Sequence, residues 1–168
     1  VRSADLILIL VDVFNQQHVD VLLRELYDAG IRINQEKPDI TIKKTANGGI
    51  RLNTVGSVDL DIEEIRSILA ENKIVNADVL IRNNVTQDDF IDAMIGNRVY
   101  VPAFIAVNKV DLVDEKTRTN IEKELTKRFG EPPIMVSAHS GYRIEDLKDA
   151  IYENLGFMRI YLKPVGGP

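Results

Sequence analysis

The 168-residue chain has no cysteine and no tryptophan, and only two histidines. Without cysteine there is neither a disulfide framework nor a thiolate metal site, and a reducing cytoplasm is the simplest setting to expect. No apolar run approaches the length of a membrane-spanning helix, so no membrane partner is expected. No signal-peptide pattern follows the first hydrophobic stretch. Positive charge is also short: 21 Lys and Arg stand against 26 Asp and Glu, a net charge of -5. That excludes a surface built throughout for nucleic acid and leaves room only for a local basic patch. Three motifs are missing. There is no G-x-x-x-x-G-K-[ST] to cradle phosphates and no D-x-x-G to hold magnesium through water. There is no G-x-G-x-x-G either, which removes a dehydrogenase-like dinucleotide fold.

What is present is the composition of a globular protein, 45% hydrophobic and 28% charged, enough for one ordinary domain or two small ones. Residues 4–13 read A-D-L-I-L-I-L-V-D-V. A continuous apolar run of this kind predicts a strand buried on both faces, as in a parallel sheet. A helix follows, with Val19, Leu22, Leu23 and Leu26 on one face and Gly30 placed to end it. The matching strand comes about seventy residues later, at Val101 to Val107. Next is a helix capped by Asp114, with Ile121, Leu125 and Phe129 as its apolar stripe. Gly130 ends it, and Pro132 and Pro133 forbid its return. A short strand at Ile134 to Val136 leads to a last helix carrying Ile144, Leu147, Ile151 and Leu155. Strand and helix alternate, which predicts an α/β layer with a mostly parallel sheet.

Between them the rhythm changes. Ile40 to Lys44 and Ile50 to Asn53 alternate with period two around Asn47-Gly48-Gly49, which predicts a hairpin. Ile31-Arg32-Ile33 is a candidate third strand of the same region. Asp61 to Glu64 forms a capping-box pattern before a helix with Ile62, Ile65, Ile68 and Leu69. Ala77 to Arg82 reads as a strand, and Thr86 caps a helix through Phe90, Ile91 and Met94 that Gly96 closes. The whole predicts a small α+β module inserted into the parallel layer.

The chemistry concentrates at Asn108-Lys109-Val110-Asp111, directly after the second apolar strand, where ligands bind in open α/β sheets. Guanine presents two adjacent donors, its ring N–H and its exocyclic amine. One carboxylate accepts both, and adenine offers no such pair, so Asp111 is the candidate base reader. Asn108 can donate to the base N7 and tie neighbouring loops together. Lys109 can lay its apolar stem on the base face while its ammonium stays in water. A second loop, Ser137-Ala138, can offer a backbone N–H to the guanine O6. Three fixed residues at this spacing arise by chance in roughly a few per cent of such chains, and the bland reading is a polar loop with Asp111 as a helix cap. The strand before it and the Ser-Ala loop after the next strand favour the guanine reader.

Other residues are weaker candidates. His18 and His139 stand apart in sequence, and His139 reads better as a solvated loop residue than as a catalyst. Lys43, Lys44 and Arg51 put positive charge on the predicted hairpin. A solvated strand face explains them, with contact to RNA phosphates as the functional alternative. The pairs Asp88-Asp89 and Glu63-Glu64 fall in first helical turns, where the helix dipole accounts for them.

The sequence resembles the developmentally regulated GTP-binding proteins, the DRG branch of the Obg-type GTPases. The likeness is carried by R-S-A-D-L-I-L-I-L-V-D, A-G-I-R-I-N-Q-E-K-P-D-I, G-G-I-R-L-N, K-I-V-N-A-D-V-L-I-R, F-I-D-A-M-I-G-N-R-V-Y-V-P, N-K-V-D and M-R-I-Y-L-K-P. The resemblance implies the later half of a Ras-like P-loop GTPase sheet at residues 1–30 and 100–156. It implies an inserted module with a ribosomal-protein second-domain-like fold at 31–99, and the start of a TGS domain at 157–168. It implies GTP or GDP with magnesium as the ligand of the intact protein, GTP hydrolysis, and association with ribosomes. Asn108, Lys109 and Asp111 match the family's base-specificity motif, and Ser137 and Ala138 its second base loop. No residue matches its catalytic or metal-binding positions. Both ends read as cut, so a fragment is expected, inactive by itself and prone to self-association through an unpaired sheet edge. The second expectation, from a different class, is a non-catalytic RNA- or ribosome-binding module built on residues 31–99.

Overall fold

A computed structural model describes residues 2–55 and 60–156. Strand β1 spans Ile7–Asp12, helix α1 His18–Asp28, β2 Ile31–Ile33, β3 Ile40–Lys44 and β4 Ile50–Thr54. Helix α2 covers Ile62–Glu71, β5 Ala77–Ile81, α3 Gln87–Ile95 and β6 Val99–Val101. Strand β7 (Ala103–Asn108) runs into a 3-10 turn at Val110–Leu112, followed by α4 (Glu115–Phe129), β8 (Ile134–Met135) and α5 (Ile144–Asn154). Residues 2–34 and 101–156 make one compact unit, and the described residues of 35–100 make another. The start of a TGS domain, expected at 157–168, lies outside the described residues.

In the first unit β7 is central, with order β1-β7-β8 and every pairing parallel. The register sets Ile9 beside Ile105, Val11 beside Val107 and Asp12 beside Asn108. One face of this sheet packs on α1 through Val19 and Leu23, and on α4 through Ile121 and Leu125. Each large apolar side chain so buried contributes roughly 1.5–3 kcal/mol. Helix α4 is fixed at both ends. The Asp114 carboxylate accepts from Thr117 N at 2.9 Å, a cap typically worth about 1 kcal/mol. Gly130, at φ 93°, closes it in the left-handed region that favours glycine.

Two expectations about this unit change. Strand β7 is buried from Ala103 to Val107, as a strand with cover on both faces should be. Strand β1 instead alternates: Ile9 and Val11 are buried, while Leu8 and Leu10 are 37% and 58% exposed. The apolar run is real, but β1 stands at the edge of the described sheet with only one face covered. Leu22 likewise lies at the margin of the α1 stripe and is 38% exposed, leaving Val19, Leu23 and Leu26 to face the core.

Strand β2, expected with residues 31–99, belongs with the first unit. It follows α1 at once and is tied to it: the Arg32 guanidinium lies 3.6 Å from the centroid of the Tyr27 ring and donates to Tyr27 O at 2.8 Å. Just beyond it, Asn34 uses its side chain as a substitute peptide, donating to Ala103 O at 2.9 Å and accepting from Ala103 N at 2.7 Å. Asn34 adopts φ 51°, which Asn tolerates better than most residues.

The second unit has strand order β3-β5-β4. Strand β5 lies antiparallel to β3 and parallel to β4. The predicted hairpin of β3 on β4 is therefore wrong, because β5 enters between the two. The connecting loop is held open around Asn76. Gly49 N donates to Asn76 Oδ1 at 2.8 Å, Thr45 N to Asn76 O at 3.1 Å, and Ala77 N to Gly49 O at 3.1 Å. Gly48 and Gly49 both take positive φ, 104° and 70°, so this wide turn uses the glycines that a tight hairpin turn would also have used. The sheet packs Val79 and Ile81 against Ile65 and Leu69 of α2 and Phe90 of α3, all fully buried. The predicted Asp61/Glu64 capping box is present, and the predicted Thr86 cap proves to be a capping box with Asp89.

Candidate functional site

The carboxyl ends of β1 and β7 lie side by side, and the register alone brings Asp12 next to Asn108. The loop after β7 meets the loop after β8 because Val136 N donates to Val107 O at 2.8 Å and Val110 N to Val136 O at 3.2 Å. All five predicted site residues therefore converge at one end of the sheet.

Asn108 joins the two loops. Its Oδ1 accepts from Lys109 N at 2.8 Å and from Ala138 N at 3.0 Å. The carbonyl end of the side chain is thus occupied, and the amide end remains as a donor, the group a purine N7 would accept from. Ala138 N–H is turned to Asn108, and Ser137 N–H donates to Tyr142 O at 3.1 Å. The predicted N–H donors of this loop are thus used within the site, one on the neighbouring loop and one on its own.

Lys109 sits at φ 66°, ψ 30°. That left-handed conformation costs a non-glycine residue about 1–2 kcal/mol, and the surrounding bonds hold it in place. Its own N–H is on Asn108, its carbonyl accepts from Leu112 N at 3.1 Å, and its ammonium reaches Asp12 Oδ2 at 2.9 Å. Asp12 also accepts from Phe14 N and Asn15 Nδ2, each at 2.9 Å. Lys109 first, and the Phe14 amide after it, hold the Asp12 carboxyl below the usual carboxylate range.

Asp111 lies in the 3-10 turn with an exposed carboxylate. Its pKa is also lowered, chiefly by the Ser137 hydroxyl, with smaller help from its own backbone N–H and from the neighbouring His139 and Arg118. Ser137 is fully buried and its Oγ also accepts from Ser140 N at 3.2 Å. Its buried side chain thus faces the Asp111 carboxylate and favours its ionised form, a role that its backbone reading did not include. A carboxylate kept ionised at the mouth of a loop suits a ligand with two neighbouring N–H donors.

Asp12 is the site residue that sequence reading missed. The signal was available: it is the last residue of an apolar strand, at the same sheet end as Asn108. Asp12, Asn15, His18, Asn108 and Lys109 border a cavity of about 670 Å³ beside β1 and α1. His139 is near Asp111 but makes no metal cluster, and no group of three His, Cys, Asp or Glu is arranged to hold a metal among the described residues. Lys43, Lys44 and Arg51 are in the other unit. Arg51 is spent on Asp78, through two bonds of 2.6 and 3.0 Å, and Arg82 on Asp39 at 2.7 Å.

Residues 47–157 match the family described as the C-terminal region of the MMR_HSR1 domain. The chain belongs to this family. An uncharacterized GTP-binding protein of Methanocaldococcus jannaschii is 48% identical to it, over 99% of this chain and 42% of the relative. Developmentally-regulated GTP-binding protein 1 of Xenopus laevis is 40% identical over 98% of this chain and 44% of its own length. Developmentally-regulated G-protein 3 of Arabidopsis thaliana is 37% identical over 97% and 43%. This member of the MMR_HSR1 C-terminal family thus spans less than half the length of the relatives it matches, and they are named as GTP-binding proteins. No helix among its described residues is long and apolar enough to cross a membrane.

Proposed function

We propose that the loops at Asn108–Asp111 and Ser137–Ala138 read guanine in GTP or GDP, and that the chain is the base-reading part of a longer GTPase. The observation that carries this is the Asn108 side chain. It bonds both loops at once, so the carboxylate of one loop is set against the small Ala138 of the other. Asp111 takes the two guanine donors, Asn108 donates to N7, and the Lys109 stem covers a base face. Hydrolysis belongs to phosphate-handling segments elsewhere in a longer protein, for which the length of the relatives leaves room. Magnesium would be held with them. The described residues offer no fitting cluster. Residues 35–100 are proposed as a ribosomal-protein second-domain-like module, and the protein as cytoplasmic and ribosome-associated.

The test is Asp111→Asn in the intact gene product. Asparagine presents one donor where xanthine offers an acceptor. GDP affinity should fall about 100-fold, the scale of losing a charged hydrogen-bond partner, while xanthosine diphosphate affinity rises. Unchanged base selectivity would sink the assignment.

The alternative reading, RNA docking on the second unit, keeps only part of its charge. Lys43 and Lys44 remain exposed, but Arg51 and Arg82 are neutralised by Asp78 and Asp39. If RNA binds, Lys43→Glu with Lys44→Glu should abolish a salt-dependent affinity. No binding at low salt rejects that reading.

A further inference from the structure

We infer that Asp12 is the positioning residue for Lys109, fixing the lysine stem across the sheet end before any nucleotide arrives. This rests on the guanine reading of the site and goes beyond it, because the Asp12 carboxylate acts on the base-reading set through the Lys109 ammonium. Four observations converge on it. The strand register puts Asp12 opposite Asn108, one residue before Lys109. The Lys109 ammonium lies 2.9 Å from Asp12 Oδ2. The other carboxylate oxygen, Oδ1, is pinned by Phe14 N and Asn15 Nδ2, so the acceptor cannot follow a moving lysine. Finally, the Asp12 side chain is 20% exposed against 50% for Lys109. The carboxylate is the anchored member of the pair and the lysine the tethered one.

The consequence is preorganisation. A free lysine gives up rotamer freedom when a base settles on its stem. Here the head is already tethered 97 residues away in sequence, and the four methylenes are drawn across the gap between the ends of β7 and β1. The left-handed backbone of Lys109 aims the side chain in that direction. Because the stem meets a face of the base and not its edge, Asp12 should strengthen binding of every purine that Asp111 admits. It should not choose among them.

A double-mutant cycle in the intact gene product tests this, using GDP, inosine diphosphate and ADP as probes. Asp12→Asn should weaken GDP and inosine diphosphate by the same factor, about fivefold on the scale of a half-exposed ion pair. In a Lys109→Met background, which keeps a stem but removes the ammonium, Asp12→Asn should cost nothing further. Asp12→Glu keeps the charge and should recover most of the loss, which separates positioning from a folding defect. Additive losses in the cycle, or a change in the ratio of GDP to inosine diphosphate affinity, overturn the inference about Asp12 alone. If the unsubstituted protein binds ADP as well as GDP, the guanine reading falls and takes this inference with it.

Discussion

Strands β1 and β7 are neighbours of equal length, six residues each, with similar apolar sequences, I-L-I-L-V-D and A-F-I-A-V-N. Their surroundings differ. In β7 every residue from Ala103 to Val107 is buried, and the strand ends in the loop that carries Asn108 and Asp111. In β1 alternate leucines are exposed, and the strand ends in Asp12, which holds the lysine of its neighbour's loop. An apolar run thus reports what a strand can bury, while its place in the sheet decides what it does bury. The central strand presents the reader, and the edge strand supports it.

The comparison can be tested first on stability. Ile105→Ala, at a position 1% exposed, should cost about 2–4 kcal/mol in urea unfolding. Leu10→Ala, 58% exposed, should cost less than about 0.5 kcal/mol in protein too dilute to associate. Equal costs would mean that the outer face of β1 is covered in solution. The second test sets the two strand ends against each other: about 100-fold in GDP affinity for Asp111→Asn after β7, against about fivefold for Asp12→Asn on β1.

The third concerns the exposed edge. Leu8, Leu10 and Phe14 beside an open strand favour association of the isolated chain with itself. Light scattering at high concentration should show dimers or larger species, and Leu10→Lys should return them to monomer. A monomeric parent chain at high concentration rejects this.

The smallest effect is on acid stability. Asp12 and Asp111 have folded pKa values below the ordinary carboxylate range. Their stabilisation is therefore complete at neutral pH and is lost as pH falls below the unfolded carboxylate value and through the depressed folded ones. Asp12→Asn should flatten that acid limb in urea midpoints recorded against pH. An unchanged slope would mean that the Lys109 contact is not maintained in solution.

Local signals were the legible ones. Thr86, Asp114 and the Asp61/Glu64 pair are caps whose partners lie three residues away, and they read correctly. The Asn-Lys-Val-Asp loop was legible because its order is fixed by a strand before it. The insertion of β5 was not, since Asn47-Gly48-Gly49 satisfies a wide turn as well as a tight one and nothing local marks Asn76 as the wedge. Asp12 and Lys109 stay apart until the parallel register is known. The exposure of Leu8 and Leu10 depends on what lies beside β1, which periodicity does not encode.

The wedge at Asn76 also has a kinetic meaning. Strands β3 and β4 are the first of the second unit to emerge from synthesis and are only a short loop apart, yet neither can close its native ladder until β5 arrives. Pairing them directly would be quick and would have to be undone. Folding of this unit should therefore be slower than its size suggests, governed by contacts distant in sequence. Refolding of the chain should then roll over at low denaturant as the premature pair reopens. Asn47→Pro, which disfavours a tight turn at that point, should relieve the rollover, and a straight folding limb in the parent would show that no such detour exists.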